Sequence, residues 1–279
     1  MEWLQALLAG IIQGVTEFLP VSSSGHLVIF HTLFGEGENA NLSFTVFLHL
    51  ATLLSVVICF HKDIWALIRE LFTLIANIFR GKPNPKTPER RFLLMVIIAT
   101  IPAILVGALV KLLEIDGILE NIFVVAVMLI VTSAFMFLSD RINKGSYTEK
   151  DAPAKSTLTV GILQTVAILP GLSRSGSTIF GGLLSGLTKE FAVRFAFILS
   201  IPAILGAAIV ELSGIIKTGN VDIDPFIWLI GFVAATVCGI LSIKFIKMLI
   251  KSNKFYIFGF YCLLASAFAF LVGFGIIHT

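Results

Sequence analysis

Six stretches of the chain, at about 44–60, 92–111, 119–138, 191–213, 226–249 and 255–277, are apolar almost without interruption. A helix rises about 1.5 Å per residue and the hydrocarbon core of a bilayer is about 30 Å thick, so each stretch predicts a transmembrane helix. Two further apolar stretches, 3–34 and 157–187, carry a different pattern. The first is broken by Gln13, Gly14, Thr16, Glu17, Pro20, Ser22, Ser23, Ser24, Gly25 and His26, and the second by Pro170, Gly171, Ser173, Arg174, Ser175, Gly176, Ser177 and Thr178. Proline and glycine at this density interrupt a helix and free backbone polar groups that lipid cannot satisfy. Each of the two stretches therefore reads as a re-entrant helical hairpin, a pair of short helices joined by a turn.

The order is one hairpin and three spans, then again one hairpin and three spans. With the serines aligned, Ser22 pairs with Ser173, Ser23 with Arg174, Ser24 with Ser175, Gly25 with Gly176 and His26 with Ser177, while the two Leu-Pro dipeptides fall one residue out of register. Three spans per half is an odd number, so the second half runs in the opposite sense and the hairpins enter from opposite faces to meet near the midplane. The predicted fold is an all-α polytopic integral membrane protein, with six transmembrane helices plus two re-entrant helical hairpins in an inverted-topology repeat. Residues 1–279 form a single membrane domain with halves at about 1–140 and 150–279. The pentapeptide IPAIL recurs at Ile101–Leu105 and Ile201–Leu205, but in the second span of one half and the first span of the other, so it lies outside this repeat.

Composition agrees with the pattern. Of 279 residues 57% are hydrophobic and 13% charged, against about 25% charged in soluble domains. The net charge of +3 comes from loop lysines and arginines and sets orientation rather than nucleic-acid binding, for which no basic and aromatic surface motif is present. Lys62, Arg69, Arg80, Lys82, Lys86, Arg90 and Arg91 in one connection, and Lys244, Lys247, Lys251 and Lys254 near another, put both on the cytoplasmic side. Acidic connections around Glu114, Asp116 and Glu120, and around Glu211, Asp222 and Asp224, belong opposite. The mixed loop from Asp140 to Lys155 falls inside by alternation, and both termini fall outside. Asp63 to Arg80 alternates at helical spacing and predicts a helix along the membrane surface, followed by a proline-rich linker from Lys82 to Pro88. Cys59, Cys238 and Cys262 lie in apolar runs without metal-ligand spacing and read as packing residues. Met1, Glu2 and Trp3 lack the basic start of a signal peptide, so the first apolar segment is expected to remain in the mature chain.

The chemistry sits in the two breaks. Arg174 is flanked by apolar residues on both sides, and a lipid-facing charge there costs several kcal/mol. Snorkelling explains an arginine near a helix end, but not four hydroxyls and two glycines around it. An arginine, hydroxyl donors, free N–H groups and a helix restarting after Gly176 suit an anion, and phosphate fits best. The expected pocket joins Gln13, Glu17, Ser23 and His26 to Ser173, Arg174 and Thr178, with Ser22, Ser175 and Gly176 among the phosphate-binding positions. Gln13 and Glu17, four apart, share a helix face. Glu17 is a base, or binds a divalent cation with Gln13 and phosphate oxygens; Ser23 or His26 attacks phosphorus; Arg174 and the backbone amides of Gly171–Ser177 neutralise the developing charge. His31, His49, His61 and His278 fall outside the cluster and read as packing, interfacial or terminal residues, and the 25 phenylalanines as lipid-facing bulk.

At these residues the chain resembles the undecaprenyl-diphosphate phosphatase family, also called bacitracin-resistance proteins. The resemblance runs over nearly the whole length and rests on an (E/Q)xxxE run leading into LPVSSxGH, here Gln13 to His26, and on PGxSRSxxT, here Pro170 to Thr178. Gln13 stands at the first acidic position, which leaves Glu17 as the carboxylate. The resemblance implies a bacterial inner-membrane enzyme that dephosphorylates undecaprenyl diphosphate to the monophosphate on the periplasmic side, usually with a divalent metal such as Mg or Ca. It implies recycling of the lipid carrier for peptidoglycan and tolerance of bacitracin. The apolar spans suit the polyprenyl tail and membrane lipid, and a homodimer is compatible with the sequence. The phosphatidate-phosphatase-type lipid phosphatases share an SGH motif, here Ser24, Gly25 and His26, but Ser173 and Arg174 lack the histidine and aspartate that should follow. A polyprenyl-phosphate transporter or flippase would also use broken helices at the midplane, yet no second intramembrane acid or base pair is evident for ion coupling.

Overall fold

Helices run where apolar residues are uninterrupted and stop where proline, glycine and clustered polar residues fall. The computed structural model describes residues 2–34, 38–83, 86–113, 121–142, 145–218, 224–252 and 254–277. Among these are ten α-helices: α1 Trp3–Phe18, α2 Ser23–Phe34, α3 Glu38–Phe79, α4 Pro88–Leu112, α5 Ile122–Ser139, α6 Ala154–Val166, α7 Arg174–Leu184, α8 Lys189–Thr218, α9 Pro225–Leu249 and α10 Tyr256–Gly273. The acidic positions Glu114, Asp116, Glu120 and Asp222, the side chain of Glu211, and His278 lie outside the described residues.

Six helices are long and apolar enough to cross a membrane: Ser43–Phe79, Pro88–Val110, Ile122–Ser139, Lys189–Val210, Pro225–Leu249 and Tyr256–Gly273. They match the six expected spans, and the chain is a multi-pass membrane protein. Their outward faces are apolar, with Ile101, Ile104 and Leu105 on α4, Leu229, Val233 and Val237 on α9, and Phe260 and Leu264 on α10 all exposed. Such faces are stable against lipid and unstable against water. The first span does not end at residue 60. Phe60 leaves helical geometry (φ −126°, ψ 23°) and α3 then continues to Phe79, so the helix expected over Asp63–Arg80 is the far arm of a kinked α3. Pro102 and Pro202, the prolines of the repeated pentapeptide, both sit inside helices, α4 and α8.

The phenylalanines correct an expectation. Phe79, Phe226 and Phe274 are exposed, but Phe18, Phe44, Phe92, Phe195, Phe197 and Phe255 are fully buried. Phe197 meets Phe18 at 5.5 Å and Phe60 at 5.9 Å, both edge to face. Within a bilayer, lipid and core are equally apolar, so polarity does not decide where a phenylalanine goes; ring shape against its neighbours does.

The basic connections gather at one end of the bundle. Arg194 bridges Asp63 (2.6 Å) and Glu149 (3.2 Å), Arg91 donates to the carbonyls of Lys150 and Ala152, and the Lys247 ammonium lies 3.7 Å from the centre of the Phe60 ring. The connections expected on one face of the membrane are therefore together in space.

Helix α1 is held by a close approach to α9. A Cβ on Gly10 would fall 2.4 Å from the Gly231 carbonyl oxygen, and one on Gly14 would fall 2.5 Å from that of Ala235. Only glycine lets the two backbones meet, in the small-xxx-small manner of membrane helices. Gly14→Leu is expected to force α1 away from α9 and to lower stability by about 1–3 kcal/mol, read as a lower unfolding midpoint in detergent. An unchanged midpoint would show that the contact is not tight.

Candidate active site

The helices α1 and α2, and α6 and α7, are separated by short turns, and both turns are built alike. Helix α1 stops at Phe18 because Leu19 precedes a proline and takes extended geometry (φ −71°, ψ 144°). Ser22 then adopts φ 72°, the one positive φ on a non-glycine residue among those described, and its Oγ accepts from the Gly25 N–H at 3.3 Å. In the second turn Gly171 takes φ 89°, where a Cβ would lie 2.5 Å from the Val125 carbonyl oxygen, so glycine is required twice over. Ser173 caps α7 by accepting from the Gly176 N–H at 3.0 Å.

The two turns interlock by exchanging contacts. The Gly171 N–H donates to Ser24 Oγ at 3.4 Å, and Ser175 Oγ donates to the Leu19 carbonyl at 3.0 Å. Gly25 packs on Gly171, and Gly176 on Pro20. Thr132 of α5 ties the second turn down: its Oγ1 accepts from the Ser173 N–H (3.0 Å) and donates to the Gly171 carbonyl (3.1 Å). Pro20 O in turn receives the Cys262 thiol at 3.7 Å, which accounts for that cysteine as a packing residue.

This interlock brings Glu17 of α1 against Arg174 of α7. Arg174 Nη2 is bonded to Glu17 Oε1, while Ser23 Oγ donates to Glu17 Oε2 at 2.5 Å and Gln13 Nε2 donates to the same oxygen at 3.0 Å. The Glu17 side chain is 2% exposed and that of Arg174 is 25% exposed. The carboxylate is thus enclosed, whereas the guanidinium keeps an open side for a ligand. Burial of such a charge is tolerated only because it is paired and hydrogen-bonded. A hydroxyl beside a carboxylate, with a cation against the same group, is an arrangement for activating a nucleophile next to a developing anion.

The other expected residues are placed as follows. His26 does not bond to this cluster: its Nδ1 meets the Ser22 carbonyl at 2.7 Å and its Nε2 meets the Tyr261 hydroxyl at 2.8 Å. Ser22 and Ser173 spend a lone pair on capping, the pairs Ser22 with Ser24 and Ser173 with Ser175 lie 3.3 Å and 3.1 Å apart, and the Thr178 hydroxyl is directed at the Arg174 and Ser175 carbonyls. These hydroxyls shape the turns that carry Ser23 and Arg174.

His49, which the sequence pattern sets outside the cluster, lies against it. Its Nε2 lies 3.8 Å from Glu17 Oε2, with Nδ1 against the Thr45 carbonyl at 2.8 Å. Packing of α3 on α1 brings it there, and only its company of Thr52 and Ser55 in an apolar run could have marked that helix face as polar. Tyr261 and Thr132 carry no signal in the sequence either, each being a single polar residue in an apolar span.

For a divalent cation, Gln13 Oε1 is the telling atom. It is buried next to Glu17 with no hydrogen-bond partner, and an orphaned carbonyl oxygen beside a carboxylate is a fitting oxygen donor pair for a hard cation. No group of three or more His, Cys, Asp or Glu side chains suited to a metal occurs among the described residues. A cation there would draw its remaining ligands from substrate oxygens and water, as Mg commonly does.

Comparison with known proteins supplies the context. Residues 6–268 match the family described as bacitracin resistance protein BacA. The chain is 41% identical over 276 residues to an undecaprenyl-diphosphatase of Methanobrevibacter smithii, covering 97% of this chain and 98% of that one. It is 39% identical over 267 residues to the protein of the same name from Methanosphaera stadtmanae (94% and 95%), and 37% identical over 262 residues to that of Alkaliphilus metalliredigens (94% and 95%).

Proposed function

From the premise that this chain belongs to the bacitracin resistance protein BacA family, we propose that it is a membrane phosphatase hydrolysing undecaprenyl diphosphate to undecaprenyl phosphate and inorganic phosphate. The observation that carries the reading is the meeting of Ser23, Glu17 and Arg174, drawn from two turns far apart in sequence, in a chain whose relatives bear the name of that activity.

Ser23 is the nucleophile that the geometry favours, because its Oγ already donates to Glu17 Oε2, while both ring nitrogens of His26 are engaged. In the first step an Oγ–P bond to the terminal phosphoryl group forms, the bridging O–P bond breaks, undecaprenyl phosphate leaves, and the Ser23 proton passes to Glu17. Arg174 leaves Glu17 for the phosphoryl oxygens and stabilises their charge. In the second step water attacks phosphorus, orthophosphate departs, and Ser23 recovers a proton. A divalent cation, Mg or Ca, bound by Gln13 and Glu17 would supply further neutralisation of the diphosphate charge.

The two broken segments are re-entrant hairpins in an inverted repeat of one membrane domain, with halves at about 1–140 and 150–279. The reciprocal contacts between the turns support this, as do the matched helix pairings that cross between the halves, α1 of the first on α9 of the second and α6 of the second on α4 of the first. The enzyme lies in the inner membrane with its site open to the periplasm and both termini on that side. There it returns the lipid carrier to cell-wall synthesis and confers tolerance of bacitracin, which sequesters the diphosphate. The test is orthophosphate release from a polyprenyl diphosphate by the purified protein in detergent. Steady release supports the reading; no release from well-folded protein, with transfer of a polyprenyl phosphate across vesicles, replaces it with transport.

A further inference from the structure

His26 is held at both ends of its ring, and the two ends are chemically unequal. At Nδ1 the partner is a backbone carbonyl, Ser22 O at 2.7 Å, which can only accept, so Nδ1 carries the hydrogen. In the neutral ring Nε2 then holds a lone pair, and its partner at 2.8 Å is the Tyr261 hydroxyl, which must donate. The two rings also stack, with centroids 5.5 Å apart and planes 5° from parallel. Tyr261 comes from α10, remote in sequence, and no other described polar contact orients the outer edge of this imidazole.

We infer that Tyr261 is a positioning residue for His26, holding the imidazole as the Nδ1–H tautomer with its Nε2 lone pair in a fixed direction. The inference rests on the phosphatase reading proposed above and adds His26, three residues after Ser23 on α2, to that site. Tyrosine suits the task because its hydroxyl both donates and accepts. It satisfies a neutral Nε2 by donating, and by turning its own hydrogen away it accepts from a protonated one. Tyr261 is 44% exposed, and a phosphate group that reached its hydroxyl would compete for it and release the lone pair. Stacking keeps the ring plane while this happens. A carboxylate in place of the phenol would instead favour a charged ring, and a phenylalanine would keep the stack but leave Nε2 without a donor.

The test combines turnover with nitrogen NMR on protein containing 15N-labelled histidine, in which His26→Gln identifies the His26 signals by their loss. Tyr261→Phe is expected to fold normally, to lower kcat by about 3- to 10-fold, the size of one net hydrogen bond, and to leave KM within about twofold. The His26 Nε2 resonance should move toward that of an unbonded ring nitrogen, while Nδ1 stays protonated. Tyr261→Ala, which removes the stack as well, should lower kcat further. Unchanged His26 resonances in Tyr261→Phe would overturn the inference whatever happens to turnover, because Tyr261 would then act elsewhere. Shifted resonances with wild-type kcat would overturn its bearing on the reaction. A wild-type protein that releases no orthophosphate would sink the proposed function, while the NMR comparison would still decide whether Tyr261 positions the ring.

Discussion

Replacing Arg174 by alanine is expected to reduce kcat/KM for a polyprenyl diphosphate by about 10³-fold or more, the scale on which an arginine stabilises a transferring phosphoryl group. Its guanidinium is the cation that contacts Glu17, it opens the first turn of α7 at the helix's positive end, and it is partly exposed where a ligand can reach it. Alanine removes the phosphoryl clamp and also leaves the enclosed Glu17 carboxylate without its counter-charge, so two effects add in one variant. Arg174→Lys separates them. Lysine restores a charge but not the planar fork, so activity should recover only in part while the unfolding midpoint returns most of the way to wild type. Phosphate release by Arg174→Ala within about threefold of wild type would remove Arg174 from the site.

Glu17→Gln is expected to be nearly as damaging, with kcat falling by about 10³-fold, inside the range for a lost general base. The change is isosteric: an amide oxygen can still accept from Ser23 or from Arg174, and Gln13 and Ser23 keep their places on α1 and α2. What is lost is the ability to take the Ser23 proton. The unfolding midpoint should fall less than in Arg174→Ala, since the partly exposed guanidinium left without its carboxylate can still be hydrated, whereas the enclosed carboxylate cannot. Burst kinetics give the sharper reading. If Glu17 serves the first step, Glu17→Gln shows no rapid initial release of undecaprenyl phosphate; a normal burst followed by slow turnover would confine Glu17 to the hydrolysis of the phosphoserine.

The turns are set by local backbone chemistry, whereas the facing of the spans is set by their neighbours. The breaks at Pro20 and Pro170–Gly171 announce themselves, because proline and glycine act on their own backbone and need no neighbour to do so. The same holds for Ser22 and Ser173, whose side chains reach only three residues ahead to cap a helix. His49, Tyr261 and Thr132 are the opposite case. Each is one polar residue in an apolar helix, and whether it faces lipid, packing or the site depends on how that helix is rotated against the others. Phe197 and Phe260 follow the same logic, one fully buried and the other exposed with nothing in their local sequence to tell them apart.

What the sequence alone determined is local or set by length: six apolar spans, two interrupted segments, and the serines, carboxylate and guanidinium that sit in those interruptions. The tertiary structure decided which of these groups touch. Glu17 meets Arg174 because Gly10 and Gly14 seat α1 on α9 while Ser24 and Ser175 lace the two turns together, and the same packing turns His49 toward the carboxylate and Tyr261 toward His26. The physical reason is range: backbone preference and side-chain length act over a few residues, whereas the distance between groups on different helices is fixed by the packing of whole helices.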